Sequence, residues 1–327
     1  MSFPARRLRR LRATPATRRL VAETRLSPDD LVAPLFVRQG IAEPRPIPSL
    51  PGVFQHTVDS LCTEAKRLGS LGVPGLVLFG VPERKDPFGS EASDPKGIAQ
   101  VALRAVRDAV GDDLVVMADL CLDEYTDHGH CGLVGPDGRV DNDSTLERYK
   151  EVAVAQAEAG AAVVAPSGMM DGQVAAIRAG LDESGHSEVA ILAYSAKYAS
   201  ALYGPFREAV EVTIAGGGDR RSYQQDFHNA AEALAEVRLD LEEGADMVMV
   251  KPGVTYLDVL AAVAASVEAP VAAYQVSGEY AMVKAAAERG YLDGEAVALE
   301  QLTALKRAGA AFVLTYFAAE VAELLGA

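Results

Sequence analysis

The chain has 327 residues, of which 49% are hydrophobic, 24% are charged and 6% are aromatic. This composition excludes disordered, collagen-like and disulfide-dense proteins, and no apolar stretch is long enough to predict a membrane span. The net charge of −15 disfavours nucleic-acid binding by most of the surface. The three cysteines indicate reduced thiols that are available to a metal ion rather than disulfide bonds.

The first 30 residues are predicted to form an N-terminal arm. Within positions 1–25 there are eight arginines and a single acidic residue, Glu23. A basic arm on an acidic body is expected to dock on the body of its own or of a neighbouring subunit. A solvated tail and an arm that binds nucleic acid or a membrane are the alternatives. Because the arm lacks the apolar segment of a secretory signal, we expect a cytoplasmic protein without a nucleic-acid or membrane partner.

Residues 31–327 are predicted to form one domain in which apolar runs alternate with amphipathic helices. The predicted strands are 31–37, 75–79, 114–119, 161–166, 189–195, 246–250, 270–275 and 311–315. The predicted helices are 58–71, 97–110, 144–159, 173–184, 229–243, 256–267 and 280–289. Eight nearly all-apolar strands separated by helices favour a closed (β/α)8 TIM barrel over an open doubly wound sheet. The proline-rich segment 43–51 is predicted to be a loop on the strand-1 side of the barrel.

Polar side chains that follow the predicted strands are candidates for catalysis, because the active site of such a barrel lies at the C-terminal ends of its strands. They are Asp119, Cys121, Asp123, Ser167, Ser195, Lys197, Lys251, Ser277 and Tyr316. Burial of Lys251 beside a second ammonium group would lower its pKa and make it a nucleophile that forms a Schiff base with a ketone. The alternative is that Lys251 and Lys197 form salt bridges with carboxylates at the rim of the barrel.

Cys121, Asp123 and Cys131 form a candidate metal site. Alternation on an extended segment points Cys121 and Asp123 the same way, and seven intervening residues allow the chain to return Cys131 to them. Three anionic ligands with an open fourth position are typical of a catalytic zinc site. In the alternative interpretation both cysteines are small buried hydrophobic residues. Cys62, inside an amphipathic helix, is expected to belong to the core.

The loop 216–221 contains three consecutive glycines followed by Asp219, Arg220 and Arg221. It lacks the Lys-Ser/Thr of a phosphate-binding loop, so we interpret it as a flexible loop whose arginines, with Arg207 upstream, capture a carboxylate. Solvated surface arginines are the alternative. Ser167 and Asp171 are candidates for the N-cap of the helix that follows them.

Five motifs together resemble the porphobilinogen synthase (5-aminolevulinate dehydratase) family. They are Met-Val-Lys-Pro-Gly at 249–253, Tyr-Ser-Ala-Lys-Tyr-Ala-Ser at 194–200, Tyr-Gly-Pro-Phe-Arg at 203–207, Arg-Arg-Ser-Tyr-Gln at 220–224 and Gln-Val-Ser-Gly-Glu-Tyr at 275–280. The resemblance runs from about Pro4 to the C-terminus. It implies a (β/α)8 barrel with an arm wrapped on a neighbouring subunit, commonly in a homo-octamer. It also implies the condensation of two 5-aminolevulinate molecules to porphobilinogen with loss of two waters, in tetrapyrrole and haem biosynthesis.

The resemblance also implies roles for individual residues. Lys251 would form a Schiff base with the substrate in the first (P) site, and Lys197 with the substrate in the second (A) site. Ser277 and Tyr316 are similar to the residues that bind the P-site carboxylate. The A-site residues implied in the same way are Arg207, Arg220 and Gln224, with Tyr203 and Phe206 lining the pocket and Asp119 and Ser167 near the reacting amine.

The metal ligands depart from the common patterns of this family. Zinc-dependent members carry three cysteines, whereas here the middle position is Asp123. Because a carboxylate is an acceptable zinc ligand, we expect zinc at this site, bound less tightly than by three thiolates. Glu236 occupies the position of a glutamate found in magnesium-stimulated members, so we expect a magnesium site near Glu236 and the N-terminal arm.

Two other functions are the alternatives. A class I aldolase also uses a Schiff-base lysine on a barrel, but a second lysine and the Cys-Asp-Cys set favour the condensation of two keto-acids. A nucleic-acid-binding protein that uses the arginine-rich arm would show steeply salt-dependent binding that is lost when residues 1–25 are deleted.

Overall fold

The computed structural model describes residues 6–215 and 218–326, and within them eight parallel strands close into a barrel. The barrel strands, in chain order, are β1 (Leu31–Arg38), β4 (Gly75–Val81), β5 (Val115–Leu120), β6 (Val163–Pro166), β7 (Ala190–Lys197), β8 (Met247–Lys251), β9 (Val271–Gln275) and β10 (Phe312–Thr315). Each strand pairs with its neighbours in sequence, and the pairing of β10 with β1 closes the sheet. The predicted TIM barrel is therefore confirmed.

Helices follow the strands and cover the outside of the barrel, and one further helix, α1, lies in the N-terminal arm. They are α1 (Pro15–Leu20), α2 (Val58–Ser70), α3 (Ile98–Val110), α4 (Asn142–Glu158), α5 (Gln173–Glu183), α6 (Gly204–Ala209), α7 (Ala231–Glu242), α8 (Leu257–Ser266), α9 (Ser277–Glu288), α10 (Gly294–Arg307) and α11 (Ala318–Gly326). Side-chain caps fix several starts: the Thr57 hydroxyl accepts a hydrogen bond from the Ser60 N–H at α2, and Asp293 accepts one from the Ala296 N–H at α10. Cys62 packs against the core from α2, as expected.

The structure corrects the predicted elements at several places. A short hairpin, β2 (Arg45–Pro46) and β3 (Phe54–His56), adds to β1 through β3, so the segment 43–51 is not entirely a loop. The sequence interpretation missed α10 and α11, because it assigned one helix after β9 and none after β10. It also missed α6, a helix of six residues that is too short to show a periodic pattern.

The described part of the predicted arm, residues 6–30, has little contact with the barrel at its start. Neither the 3-10 helix Leu8–Arg12 nor α1 has a buried residue, and Leu20 is 81% exposed. The first five residues of the arm lie outside the described residues. In the part of the chain that the structure describes, no helix has the length and apolar character needed to cross a membrane.

Candidate active site

Two buried lysines end neighbouring strands at the C-terminal mouth of the barrel. Lys197 is the last residue of β7, Lys251 is the last residue of β8, and the two are paired in register. Their exposed fractions are only 4% and 5%. Both Nζ atoms lie over the ring of Tyr194, 5.7 Å and 4.9 Å from its centroid, respectively. The sequence prediction that both lysines lie at one mouth agrees with this geometry.

Aromatic rings surround Lys251. Its Nζ lies 4.4 Å from the ring centroid of Tyr274, 5.3 Å from that of Phe206 and 5.4 Å from that of Tyr203. Burial lowers the pKa of Lys251 to about 7, and the charge of Lys197 acts in the same direction. A neutral amine is therefore accessible near neutral pH, which is the state that attacks a carbonyl carbon. No salt bridge to Lys251 is found among the described residues, contrary to the alternative of a rim ion pair.

Polar groups surround Lys197. Its ammonium group donates a hydrogen bond to the main-chain oxygen of Ser167, and the Ser167 hydroxyl donates one to Asp119 Oδ2 over 3.2 Å. Burial raises the pKa of Asp119 to about 6, although the two lysines oppose this shift. Asp119 Oδ1 has no hydrogen-bond partner among the described residues. Asp119 can thus accept or donate a proton beside both amines.

The three candidate metal ligands lie together. The Sγ atoms of Cys121 and Cys131 and a carboxylate oxygen of Asp123 are all within 4.8 Å of one another, and all three residues are buried. Burial raises the pKa of Cys121. At Cys131 the hydrogen bond from Cys121 and the charge of Arg220 outweigh burial and lower the thiol pKa. The Cys131 thiol therefore loses its proton more easily than an ordinary cysteine. The set of two sulfur atoms and one carboxylate fits a divalent metal ion such as zinc.

Asp123 also forms a buried ion pair with Arg220. Arg220 Nη2 lies 2.7 Å from Asp123 Oδ2 and donates a second hydrogen bond to the main-chain oxygen of Gly129. Burial alone would raise the pKa of Asp123, but Arg220 holds that pKa below its ordinary value. Sequence analysis assigns these two residues separate roles, as metal ligand and as substrate-binding residue. The structure joins them, so the candidate metal site borders the cavity that contains the two lysines.

Buried donors without a partner face two connected cavities. The inner cavity contains both lysines, and its lining is Asp119, Asp123, Glu124, Ser167, Lys197, Tyr203, Phe206, Arg207, Arg220 and Lys251. An outer cavity of about 660 Å³ shares Arg207 and Arg220 with it and also contacts Gln224. Arg207 Nε, Arg220 Nε and Gln224 Nε2 are buried without a hydrogen-bond partner among the described residues. Such donors suit a carboxylate. Arg221 is exposed beside Asp219, and Gly216 and Gly217 of the same loop lie outside the described residues.

Ser277 and Tyr316 do not line the inner cavity but lie directly behind its wall. The Ser277 hydroxyl accepts a hydrogen bond from the Phe206 N–H over 3.0 Å, and the Tyr316 hydroxyl lies 3.2 Å from that of Tyr274. Phe206 and Tyr274 are two of the rings that surround Lys251. Thus a single side chain separates each predicted carboxylate-binding residue from Lys251: Phe206 in the case of Ser277, and Tyr274 in the case of Tyr316.

Glu236 lies apart from the lysines, on α7. It lines a third cavity with Asp171 and Glu232, which shares Arg221 and Gln224 with the outer cavity, and burial together with the Asp171 charge raises the pKa of Glu236. Among the described residues, the Cys-Asp-Cys set is the only group of three close potential ligands, so Glu236 would need further ligands from elsewhere. The N-cap of α5 is Gly172, so neither Ser167 nor Asp171 caps that helix, contrary to one reading of the sequence.

The sequence interpretation missed three residues of the site: Tyr194, Tyr274 and Glu124. Strict alternation would point Tyr194 and Lys197 to opposite faces of β7, but the register shifts between Ala193 and Ala196 and brings both to the site. Tyr274 lies within the predicted apolar strand 270–275, a pattern that indicates a core residue. Glu124 is buried with both carboxylate oxygens unpartnered among the described residues, and no sequence signal marks a loop glutamate for burial.

Comparisons with known proteins point to one enzyme family. The family model described as delta-aminolevulinic acid dehydratase matches residues 5–324. Proteins of that name from Streptomyces coelicolor and Mycobacterium tuberculosis are each 61% identical to the chain; the first match covers 99% of the chain and 98% of the relative, and the second covers 98% of both. A crystal structure of the Toxoplasma gondii protein of that name, in complex with the reaction product porphobilinogen, superposes with a TM-score of 0.95 at 43% identity, covering 98% of this chain and 91% of that one.

Proposed function

The chain belongs to the delta-aminolevulinic acid dehydratase family, and we propose that it works through Schiff bases on Lys251 and Lys197. The enzyme is a hydro-lyase, a porphobilinogen synthase that condenses two molecules of 5-aminolevulinate with loss of two waters. The observation that carries the proposal is the pair of buried lysines in register on β7 and β8, both facing the ring of Tyr194. A class I aldolase, the alternative function, forms a Schiff base on only one lysine.

The two amines would each bind one substrate ketone. The neutral amine of Lys251 attacks the ketone carbon of the first substrate, and loss of water leaves an iminium ion. The amine of Lys197 forms an imine with the second substrate in the same way, so two waters are lost in all. An iminium ion acidifies the neighbouring carbon of its substrate, and once that proton is lost the carbon forms a bond to the imine carbon of the other substrate. Ring closure by a substrate amine then breaks the bonds to the two lysines and returns both amines. Keeping both substrates in one closed mouth removes much of the entropic barrier to joining them.

Asp119 would transfer protons between these steps. Its carboxyl group lies close to both lysines, and its pKa of about 6 permits it to accept a proton from a substrate carbon or amine and to release it later. Ser167 keeps Asp119 in place by its hydrogen bond to Oδ2.

The charged ends of the substrates would be held on two sides of the mouth. Arg207, Arg220 and Gln224 offer unpartnered donors to the carboxylate of the A-site molecule. Ser277 and Tyr316 would bind the P-site carboxylate after small movements of Phe206 and Tyr274, which now separate them from Lys251.

Cys121, Asp123 and Cys131 would hold a zinc ion. When bound, zinc supplies a Lewis acid that polarises a substrate oxygen near Lys197. Asp123 and Arg220 together would orient the substrate beside it, because Arg220 retains an unpartnered Nε after pairing with Asp123. Metal analysis after gel filtration that finds no stoichiometric zinc, with full activity in strong chelator, would contradict this part of the proposal.

Glu236 and the arm would act at subunit contacts, with magnesium at Glu236 and the chain assembled as a homo-octamer in the cytoplasm. The exposed apolar and basic residues of the arm support this, as does the half-buried Glu236 with the exposed carboxylates of Asp171 and Glu232 near it. We expect magnesium to raise activity and oligomer mass in the parent but not in Glu236→Ala, measured by mass photometry. Equal responses of both proteins would contradict the site.

The decisive experiment on the mechanism is borohydride reduction in the presence of 5-aminolevulinate, followed by peptide mass mapping. Reduction converts a Schiff base into a stable secondary amine, so the substrate mass should appear on Lys251 and, at higher substrate concentration, on Lys197. Substrate mass absent from Lys251 would exclude the mechanism.

A further inference from the structure

Glu279 is a buried carboxylate that none of the steps above uses. It lies in the first turn of α9 and is 1% exposed. Its Oε1 accepts hydrogen bonds from the N–H groups of Val254 (2.8 Å) and Thr255 (3.2 Å), and its Oε2 accepts one from the N–H of Val276 (2.8 Å). No ion pair to Glu279 is found within residues 6–215 and 218–326. The main chain therefore takes the place of a cationic partner.

These three hydrogen bonds join the two segments that carry the P site. Val254 follows Lys251 by three residues, in the turn that leaves β8, whereas Val276 directly precedes Ser277 at the end of β9. One side chain thus ties the segment after the Schiff-base lysine to the segment that presents the carboxylate-binding serine. The junction is tight, because a Cβ on Gly278 would lie 2.5 Å from the main-chain oxygen of Leu202.

The spacing of these two segments matters for the reaction. A keto-acid that reacts with Lys251 while its carboxylate binds Ser277 has a fixed length, so both anchors must be held at that length. Displacements of about 1 Å in a catalytic arrangement can reduce the rate about 100-fold. A carboxylate that accepts charge-assisted hydrogen bonds on both oxygens is a stiffer link than a neutral side chain.

We propose that Glu279 is a positioning residue that sets the distance between Nζ of Lys251 and Oγ of Ser277. It acts through the main chain at both ends and does not touch the substrate. This inference rests on the proposed function, in which Lys251 and Ser277 hold the same substrate molecule.

The test uses Glu279→Gln, Glu279→Asp and the matched control Asp293→Asn. Glu279→Gln keeps the size of the side chain but replaces one accepting oxygen with an N–H donor, which then faces a main-chain N–H. Glu279→Asp keeps two accepting oxygens on a shorter side chain. Asp293 also accepts a main-chain N–H at a helix start, but on α10 and away from the lysines. Assays are run at pH 8, above the value of about 7 to which burial raises the pKa of Glu279, so that the carboxylate is ionised.

The full-length proteins are treated with 5-aminolevulinate and borohydride, and the rate of substrate attachment to Lys251 is measured per folded molecule, together with kcat, KM and the thermal midpoint. We expect attachment in Glu279→Gln to be about tenfold slower, with a matching fall in kcat/KM, partial recovery in Glu279→Asp, and a change of less than about twofold in Asp293→Asn.

Attachment at the parental rate in folded Glu279→Gln would overturn the inference, as would a loss that is fully explained by the unfolded fraction. If Glu279→Gln does not fold, Glu279→Asp decides: attachment at the parental rate in that variant would overturn the inference, and attachment several times slower per folded molecule would support it. A parent enzyme that carries no substrate on Lys251 would instead contradict the proposed function itself.

Discussion

The two lysines occupy equivalent positions on neighbouring strands, but their surroundings differ. Around Lys251 lie the rings of Tyr194, Tyr203, Phe206 and Tyr274. Lys197 donates to a main-chain oxygen and lies beside the Asp123–Arg220 ion pair and Cys131, whereas Asp119 lies close to both amines. The mouth of the barrel therefore has an apolar half, which surrounds Lys251, and a polar half, which surrounds Lys197.

This difference indicates a division of work. In the proposed mechanism, the apolar half would exclude water from Lys251 and favour the neutral amine that attacks the first substrate. The polar half contains charges, donors and the candidate metal ligands, which would bind and orient the second substrate. The position of a lysine at a strand end thus does not determine its reactivity, because its neighbours set the cost of its charge.

The largest effect is expected from removing each amine in turn. Lys251→Met should reduce kcat/KM at least about 10⁴-fold, because no other group forms the first Schiff base. Lys197→Met should reduce it less, because the first imine still forms and still gives a borohydride adduct. The exposed Lys96→Met is the control and should retain activity. Equal losses in both variants, with no adduct in Lys197→Met, would contradict the division between the two halves.

Substitutions of Asp123 test the polar half. Asp123→Asn keeps an oxygen for Arg220 but removes the ligand charge, so we expect zinc affinity to fall at least about 100-fold. Asp123→Cys restores a charged ligand and should bind zinc more tightly than the parent. Competition with a chromophoric chelator measures the zinc affinities of both variants without an activity assay. Zinc affinities that are the same in all three proteins would show that Asp123 belongs to the ion pair alone.

The barrel and the positions of the two lysines could be predicted from the sequence. The difference between the surroundings of the two lysines could not. Eight apolar runs and the lysines at the ends of two of them predicted the barrel and its mouth, because buried parallel strands have a strong pattern. The register shift before Ala196, which turns Tyr194 toward the lysines, depends on strand pairing that no local pattern encodes. The pairing of Asp123 with Arg220 joins residues 97 positions apart, and only the closed fold brings them together.

The pH dependence of adduct formation at Lys251 tests whether the apolar half lowers the pKa of this amine below the value it would have in solvent. Because burial lowers the pKa of Lys251 to about 7, its ammonium form predominates below that pH and has no lone pair for attack. Borohydride-trapped adduct at Lys251 should therefore form about tenfold more slowly for each pH unit below 7 and reach a plateau above it. A rate that continues to rise toward pH 10 would indicate an amine with an ordinary pKa and would contradict the role of the rings.

The smallest effect is expected from Tyr274, which contributes a ring to Lys251 and a hydroxyl to Tyr316. Tyr274→Phe keeps the ring and removes a hydrogen bond of about 1 kcal/mol, so KM should rise about fivefold with little change in kcat. Tyr274→Leu also removes the ring that faces the iminium charge, so kcat should fall as well. Tyr280→Phe is the control: the Tyr280 hydroxyl also donates a hydrogen bond, to the main-chain oxygen of Pro51, but its ring is not among those that surround Lys251. Equal reductions of kcat in Tyr274→Phe and Tyr274→Leu would show that the hydroxyl, and not the ring, is the part of Tyr274 that assists Lys251. The apolar half would then act only by excluding water.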